Sequence, residues 1–181
     1  MDLRVETVTG KSKEKQKTKE IYTSSFLKED RMPFWLMLIM AKMKNTEFIS
    51  FHDKQTLCGF VYMATIKNLT FIMFLAVDEN IRSKGYGSRI LEKIQSLHTD
   101  NKIIISIERC VKDAKDIKQR LRRKKFYANN GYIETGYLVE LANKKQEILI
   151  KNGQFDEDEF YLFFKKYSNG TMKPKLWRIG S

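Results

Sequence analysis

The chain has 181 residues, 42% apolar and 12% aromatic, which suits one globular domain with a sizeable core. Its 34 basic and 22 acidic residues leave a net charge of +12, so an anionic partner has to be weighed throughout. The composition also excludes several classes. No apolar run approaches the ~20 residues of a membrane span, two isolated cysteines make no disulfide framework, and two prolines and nine glycines mark no interdomain joint.

The first residues lack the apolar stretch of a secretory signal, and together with unpaired cysteines this points to a cytoplasmic setting. Leu3, Val5 and Thr7 alternate with polar residues and predict a first strand. Residues 11–27 read as a helix with Ile21, Tyr22, Ser25 and Phe26 inward. Pro33 suits the first turn of a second helix reaching about residue 43. That helix is apolar almost all round, which predicts burial. Residues 48–51 and 57–66 are strands around a polar turn at 52–55 that lacks an Asn-Gly or Asp-Gly pair. A second turn starts at Asn68, and residues 69–77 form the next strand.

That strand feeds the stretch Asp78-Glu79-Asn80-Ile81-Arg82-Ser83-Lys84-Gly85-Tyr86-Gly87-Ser88. A helix follows, with Tyr86, Ile90, Leu91, Ile94 and Leu97 at helical spacing. Strand, glycine loop and helix together read as a phosphate cradle. Glycine lets backbone N–H groups approach an anion, the helix N-terminus attracts it, and Arg82 and Lys84 add full charges. A dinucleotide fingerprint needs a third glycine where Ile90 stands, and a Walker loop is absent.

Residues 102–107 form a β-branched run without alternation, as expected of a central strand buried on both faces. The crossover from residue 69 to residue 107 should be right-handed and join parallel strands. Residues 113–129 read as a helix with Ala114, Ile117, Leu121 and Ala128 inward, stopped at Gly131. Strands follow at 132–141 and 147–151, then a helix at 156–167 with Phe160, Phe163, Phe164 and Tyr167 on one stripe. The tail from Ser168 carries Trp177 and has no assigned place.

Val77-Asp78, then Arg82-x-x-Gly85-x-Gly87 and an amphipathic helix, resembles the acetyl-CoA loop of the GNAT-type N-acetyltransferases. Tyr127-x-x-x-Gly131-Tyr132 resembles a second step of the same family. The resemblance covers residues 57–137. It implies a single α/β (α+β) domain over residues 1–181, with its core at about 1–151 and a C-terminal helix and tail at 152–181. It also implies a mixed, mostly antiparallel sheet with a central splayed parallel strand pair and helices on both faces.

The resemblance further implies acetyl-CoA as co-substrate and an amine-bearing small molecule or peptide as acceptor. Backbone groups of Leu75, Ala76 and Val77 would pair with the pantetheine arm. Arg82, Ser83, Lys84, Gly85, Tyr86, Gly87 and Ser88 would hold the pyrophosphate. Tyr127 matches the family's general acid, against the plainer role of anchoring a helix end. Glu108 stands where some members keep a general base, which calls for a raised pKa; alternatively it pairs with a neighbouring cation. Trp35, Met37 and Met40 would either line the acceptor site or pack in the core. One departure is Arg120, seven residues before Tyr127, where the family commonly has Asn. An arginine there could reach a CoA phosphate or an acidic acceptor.

The bases concentrate at 11–19 and 112–125, as solvated helical faces or as attraction for CoA, an acidic substrate or nucleic acid. No zinc-finger spacing or RNA-binding signature supports nucleic acid, and no metal is expected, since His52 and His98 have no partner at ligand spacing. Two other functions remain open: an inactive CoA-binding regulatory module and a basic nucleic-acid-binding protein. No membrane partner is expected, and the apolar second helix and aromatic last helix could supply a homodimer interface.

Overall fold

The computed structural model describes residues 2–141 and 143–180. In chain order the elements are β1 (Arg4–Thr7), α1 (Lys15–Ser25), α2 (Phe34–Met40), β2 (Thr46–Asp53), β3 (Thr56–Ile66), β4 (Leu69–Val77) and α3 (Tyr86–Leu97). They continue with β5 (Lys102–Glu108), α4 (Ile117–Asn129), β6 (Ile133–Leu141), β7 (Lys144–Lys151), α5 (Glu157–Tyr167) and β8 (Lys175–Arg178). The strand order is β1-β2-β3-β4-β5-β7-β6-β8. The sheet is mostly antiparallel, with β4 and β5 as its parallel pair among the described residues, so the expected α/β class is observed. The chain divides into two compact units, Met1–Ala64 with Ile72–Thr99, and Thr65–Phe71 with Asp100–Ser181.

In the first unit, β1 pairs antiparallel with β2, which pairs antiparallel with β3. Asp53 opposes Thr56, so the hairpin turn is only Lys54-Gln55, and Lys54 takes φ 55°. The predicted turn at 52–55 is therefore shorter than expected, because His52 and Asp53 continue β2. The core is a contiguous aromatic and aliphatic cluster around Tyr22, Met37, Phe48, Phe60 and Tyr62. The Tyr22 ring meets Phe74 at 5.2 Å and Phe26 at 5.4 Å, and its hydroxyl donates to the Met32 carbonyl at 3.0 Å. Burial pushes the Tyr22 phenol up to about 12 despite that bond. The expected all-round burial of α2 is not found. Met37 is fully buried, but Trp35 is 63% exposed and Ile39 53%. A helix of seven residues packed on one side has partners for one stripe only.

In the second unit, β5 and β6 each pair antiparallel with β7. The unplaced tail finds its position as β8, which pairs with β6 and sets Trp177 opposite Leu138. The Lys145 ammonium lies 4.4 Å from the Trp177 ring centroid. Helix α5 buries Phe160, Phe163, Phe164 and Tyr167, as its stripe predicts. Asp156 caps it by accepting from the Glu159 N–H at 2.8 Å. Three acids in its first turn and two lysines in its last suit the helix dipole. Helix α4 starts later than predicted, and its inward set is corrected. Leu121 is 51% exposed and Ala128 is exposed, while Tyr127 is buried.

Candidate functional site

The first unit holds the glycine loop. β4 ends at Val77, and the Asp78 N–H donates to the Cys58 carbonyl at 2.9 Å. The buried Asp78 carboxylate accepts from the Asn80 N–H at 3.0 Å and the Asn80 Nδ2 at 2.9 Å, which turns the chain sharply. Arg82 donates from Nε to the Val77 carbonyl at 3.4 Å and from Nη2 to the Ser25 hydroxyl at 3.3 Å. Part of its guanidinium thus braces the loop. Gly85 precedes α3 at φ 79°, a left-handed conformation that glycine adopts without strain.

Helix α3 begins without a side-chain cap and without an acid in its first turn. The N–H groups of Tyr86, Gly87 and Ser88 therefore have no acceptor within the helix. Lys84 is exposed beside them and forms no ion pair among the described residues. Backbone donors, helix dipole and an uncommitted ammonium form a donor set that fits a pyrophosphate. The Tyr86 side chain is engaged within the fold. Its hydroxyl donates to the Asp53 carboxylate at 2.9 Å, and Arg89 reaches the same oxygen at 3.2 Å. These bonds hold the Asp53 carboxyl below its ordinary range, and the bond to Asp53 pushes the Tyr86 phenol up against the pull of the Arg89 cation. Tyr86 thus pins the start of α3 to the β2–β3 turn.

The sequence reading did not single out Gly59, on β3. A Cβ there would collide with the Ala76 carbonyl oxygen and stand 3.0 Å from Ile90 Cδ1 and 3.1 Å from Val77 Cα. Its missing side chain lets β3 fit beneath the end of β4 and the first turns of α3. Leu75 and Val77 are half-buried and Ala76 is buried. Of the candidate acceptor residues in the same unit, Met37 lies in the core, Met40 packs against it half-buried, and Trp35 is exposed.

The second unit holds Glu108 and Tyr127. Glu108, the last residue of β5, is hydrogen-bonded to the Arg123 guanidinium. Burial pushes its carboxyl up, but the Arg123 bond and charge, with Arg120 behind them, outweigh this and hold it below its ordinary range. The raised pKa expected for a base at this position is not observed. Arg120 donates from Nε to Asp116 at 2.8 Å and from Nη1 to the Arg109 carbonyl at 2.9 Å. It ties α4 to the chain leaving β5.

Lys124 bridges Glu147 at 2.7 Å and Glu134 at 2.9 Å, and Glu147 accepts from the Cys110 N–H at 3.3 Å. None of these partnerships was legible as a motif. Asp116 stands only four residues before Arg120, but the acids that meet Arg123 and Lys124 lie far along the chain, and only the helical phase of Tyr127 hints that these cations face the same way. Tyr127 is 5% exposed, its ring 5.5 Å from Tyr132 and 5.1 Å from Phe126. Burial pushes its phenol well up; the Arg123 cation pulls it down and the Glu108 charge opposes that pull.

Among the described residues, no helix is long and apolar enough to cross a membrane, and no cluster of His, Cys, Asp or Glu has the makings of a metal site. Residues 44–134 match the family model of the acetyltransferase (GNAT) domain. A GNAT-family acetyltransferase assignment also belongs to a solved protein from Bacteroides thetaiotaomicron. It superposes with a TM-score of 0.76 at 17% identity, over 93% of this chain and 99% of its own. The ribosomal-protein-S18-alanine N-acetyltransferase of Escherichia coli gives a TM-score of 0.59 at 9% identity, over 85% and 96% of the two chains. The PaiA N-acetyltransferase of Thermoplasma acidophilum, solved in complex with coenzyme A, gives 0.54 at 17% identity, over 84% and 100%. These similarities concern the fold. No curated protein sequence matches the chain.

Proposed function

This chain belongs to the GNAT acetyltransferase family, and on that premise we propose that it transfers the acetyl group of acetyl-CoA to a primary amine by direct attack, with Tyr127 as general acid. Acetyl transfer with acetyl-CoA as co-substrate is what the family supplies. The pyrophosphate would be held by the backbone of residues 85–88 with Lys84 and Arg82, and the pantetheine arm by the backbone of Leu75, Ala76 and Val77. Tyr86 and Ser83 belong to this loop as shaping residues. Of the three acceptor candidates, Trp35 and Met40 are assigned to the acceptor side, and Met37 to packing.

The reaction needs two proton movements: one from the amine and one to the departing thiolate. Tyr127 carries the reading. A phenol is protonated through the neutral range, so a proton is present when the thiolate forms; burial raises the Tyr127 pKa further and by itself makes it a weaker donor. The Arg123 cation, one helical turn earlier, lowers the cost of the transient phenolate. Glu108 is assigned the acceptor end of a water relay for the amine proton. Its depressed pKa makes it a weak base that is fully ionised at neutral pH.

The test is Tyr127→Phe in a thiol-release assay against a panel of small amines, polyamines and peptide N-termini. The expected loss in kcat is about 10²–10⁴-fold, the usual worth of a positioned acid, with acetyl-CoA affinity by calorimetry nearly intact. An undiminished rate removes Tyr127 from the acid role. The Glu108–Arg123 ion pair also favours a second reading, a CoA-binding regulatory module without turnover. That reading predicts CoA binding with no thiol release from any amine of the panel.

A further inference from the structure

The cations around α4 sort by face. Residues 109–125 hold nine Lys or Arg and two Asp. Those on the inner side are committed: Arg120 to Asp116 and the Arg109 carbonyl, Arg123 to Glu108, and Lys124 to Glu134 and Glu147. Those on the outer side, Lys112, Lys115, Lys118, Arg122 and Lys125, are all exposed. None of these five forms an ion pair among the described residues.

Lys118, Arg122 and Lys125 follow at four and three residues, so they share one crest of the helix, and Lys112 and Lys115 extend it through the preceding turns. Like charges at this spacing destabilise a helix by roughly 0.2–0.5 kcal/mol per pair. No acid stands three or four residues from Lys118, Arg122 or Lys125 to relieve them, the two aspartates being in the preceding turns, so a polyanion laid along the crest would.

We propose that the outer face of α4 docks the phosphate backbone of a double-stranded nucleic acid, independently of the acetyl-transfer reading. From Lys118 to Lys125 the crest runs about 10 Å at ~1.5 Å per residue. One strand of a duplex presents a phosphate every ~3.4 Å of axis, so about three phosphates fall along it. An evenly spaced row of cations on a rigid helix suits an evenly spaced, rigid polyanion. A flexible acidic peptide would lose conformational entropy to match it. A single strand would want exposed aromatic side chains to stack its bases; the exposed residues flanking the crest, Gln119, Leu121, Ala128 and Asn129, include none, and Phe126 is half-buried with its ring 5.1 Å from Tyr127. An anionic bilayer would want a broad apolar face beside the bases, whereas Leu121 is the one exposed large apolar side chain on the helix. The docking carries no base readout, so it is independent of sequence and steeply dependent on salt.

The experiment uses the full chain and a fluorescein-labelled 20-base-pair duplex, followed by anisotropy between 50 and 200 mM KCl. The expected result is binding with a log–log salt slope of about −3, three neutralised phosphates at ~0.9 each. Lys118→Gln/Arg122→Gln/Lys125→Gln should weaken binding at least about 10-fold at 100 mM KCl and flatten the slope. Circular dichroism checks that the variant is folded; all three side chains are exposed, so the substitutions leave the core intact. A charge-matched control, Lys11→Gln/Lys13→Gln/Lys19→Gln, should retain most of the affinity. Several results overturn the proposal: no duplex binding at 50 mM KCl, equal losses in the two triple variants, or tighter binding to poly-glutamate or phosphatidylserine vesicles than to the duplex.

Discussion

Helices α3 and α4 both follow a strand of the sheet, yet they are held in opposite ways. α3 buries Ile90, Leu91 and Ile94, an apolar stripe that any helical periodicity search finds. α4 buries Tyr127 alone and turns Arg120, Arg123 and Lys124 toward carboxylates and a carbonyl. The apolar helix is fixed by area removed from water, which is non-directional and tolerant. The charged helix is fixed by partners at particular places, and losing one partner leaves the other uncompensated. The difference explains why Leu121 and Ala128 face water although their apolar character predicts the inner side. On α4 the apolar residues do not mark the buried side.

The comparison can be broken or sharpened by substitution. The largest effect is expected at the start of α3. Gly87 lies within α3 and is not among the glycines of positive φ, so Gly87→Asp should fold. Its carboxylate would meet the pyrophosphate, at ~4 kcal/mol per pair of unit charges 4 Å apart. Acetyl-CoA affinity by calorimetry should fall by at least about 100-fold; unchanged affinity would remove the loop from the CoA site. Next is Ile94→Ala, which removes fully buried apolar volume. A loss of about 2–5 kcal/mol is expected in urea unfolding. A loss under about 1 kcal/mol would mean that α3 is not held by its stripe.

Arg123→Met tests the other kind of anchoring. Both partners of the Arg123–Glu108 pair are about one-third exposed, so the stability change at neutral pH should stay near or below ~1 kcal/mol. The pH dependence is more telling. The Glu108 carboxyl is depressed in the folded state, so its contribution is complete above the ordinary 4.5 and fades as pH falls through the lower folded value. In Arg123→Met this acid-side fading should shrink, and an unchanged acid unfolding profile would count against the ion pair. The smallest effect belongs to Leu121→Ala, which should stay within about 0.5 kcal/mol because the side chain is half in water. A core-sized loss there would restore the inward assignment.

Much of the fold is legible in the chain because it is written locally. The strand–loop–helix at 69–97 shows as a period change with glycines between. The α5 stripe shows as four aromatics on one face, and Gly131 stops α4 at φ 84°. In the candidate site, Gly85, Gly87 and Tyr127 could be named from motif resemblance alone. The hold on Glu108 could not, because its partner Arg123 lies 15 residues away on a helix whose phase is hidden by five neighbouring bases. Trp35 illustrates the same limit from the apolar side. Its neighbours suggest burial, but a two-turn helix with one packed side leaves it in water.

By itself, then, the sequence determined the order and kind of most elements, the glycine loop between β4 and α3 and the family resemblance, since periodicity, glycine placement and motif spacing act within a few residues. Only the tertiary structure decided which cations of α4 are neutralised and which form no ion pair among the described residues. It also decided where Trp177 pairs and why residue 59 must be glycine. These depend on groups brought together from distant parts of the chain: Lys124 with Glu147, Trp177 with Leu138, Gly59 with the Ala76 carbonyl. Long-range pairing of charges and close backbone approach leave no periodic trace in the sequence, so they became visible only when the sheet and its helices were assembled.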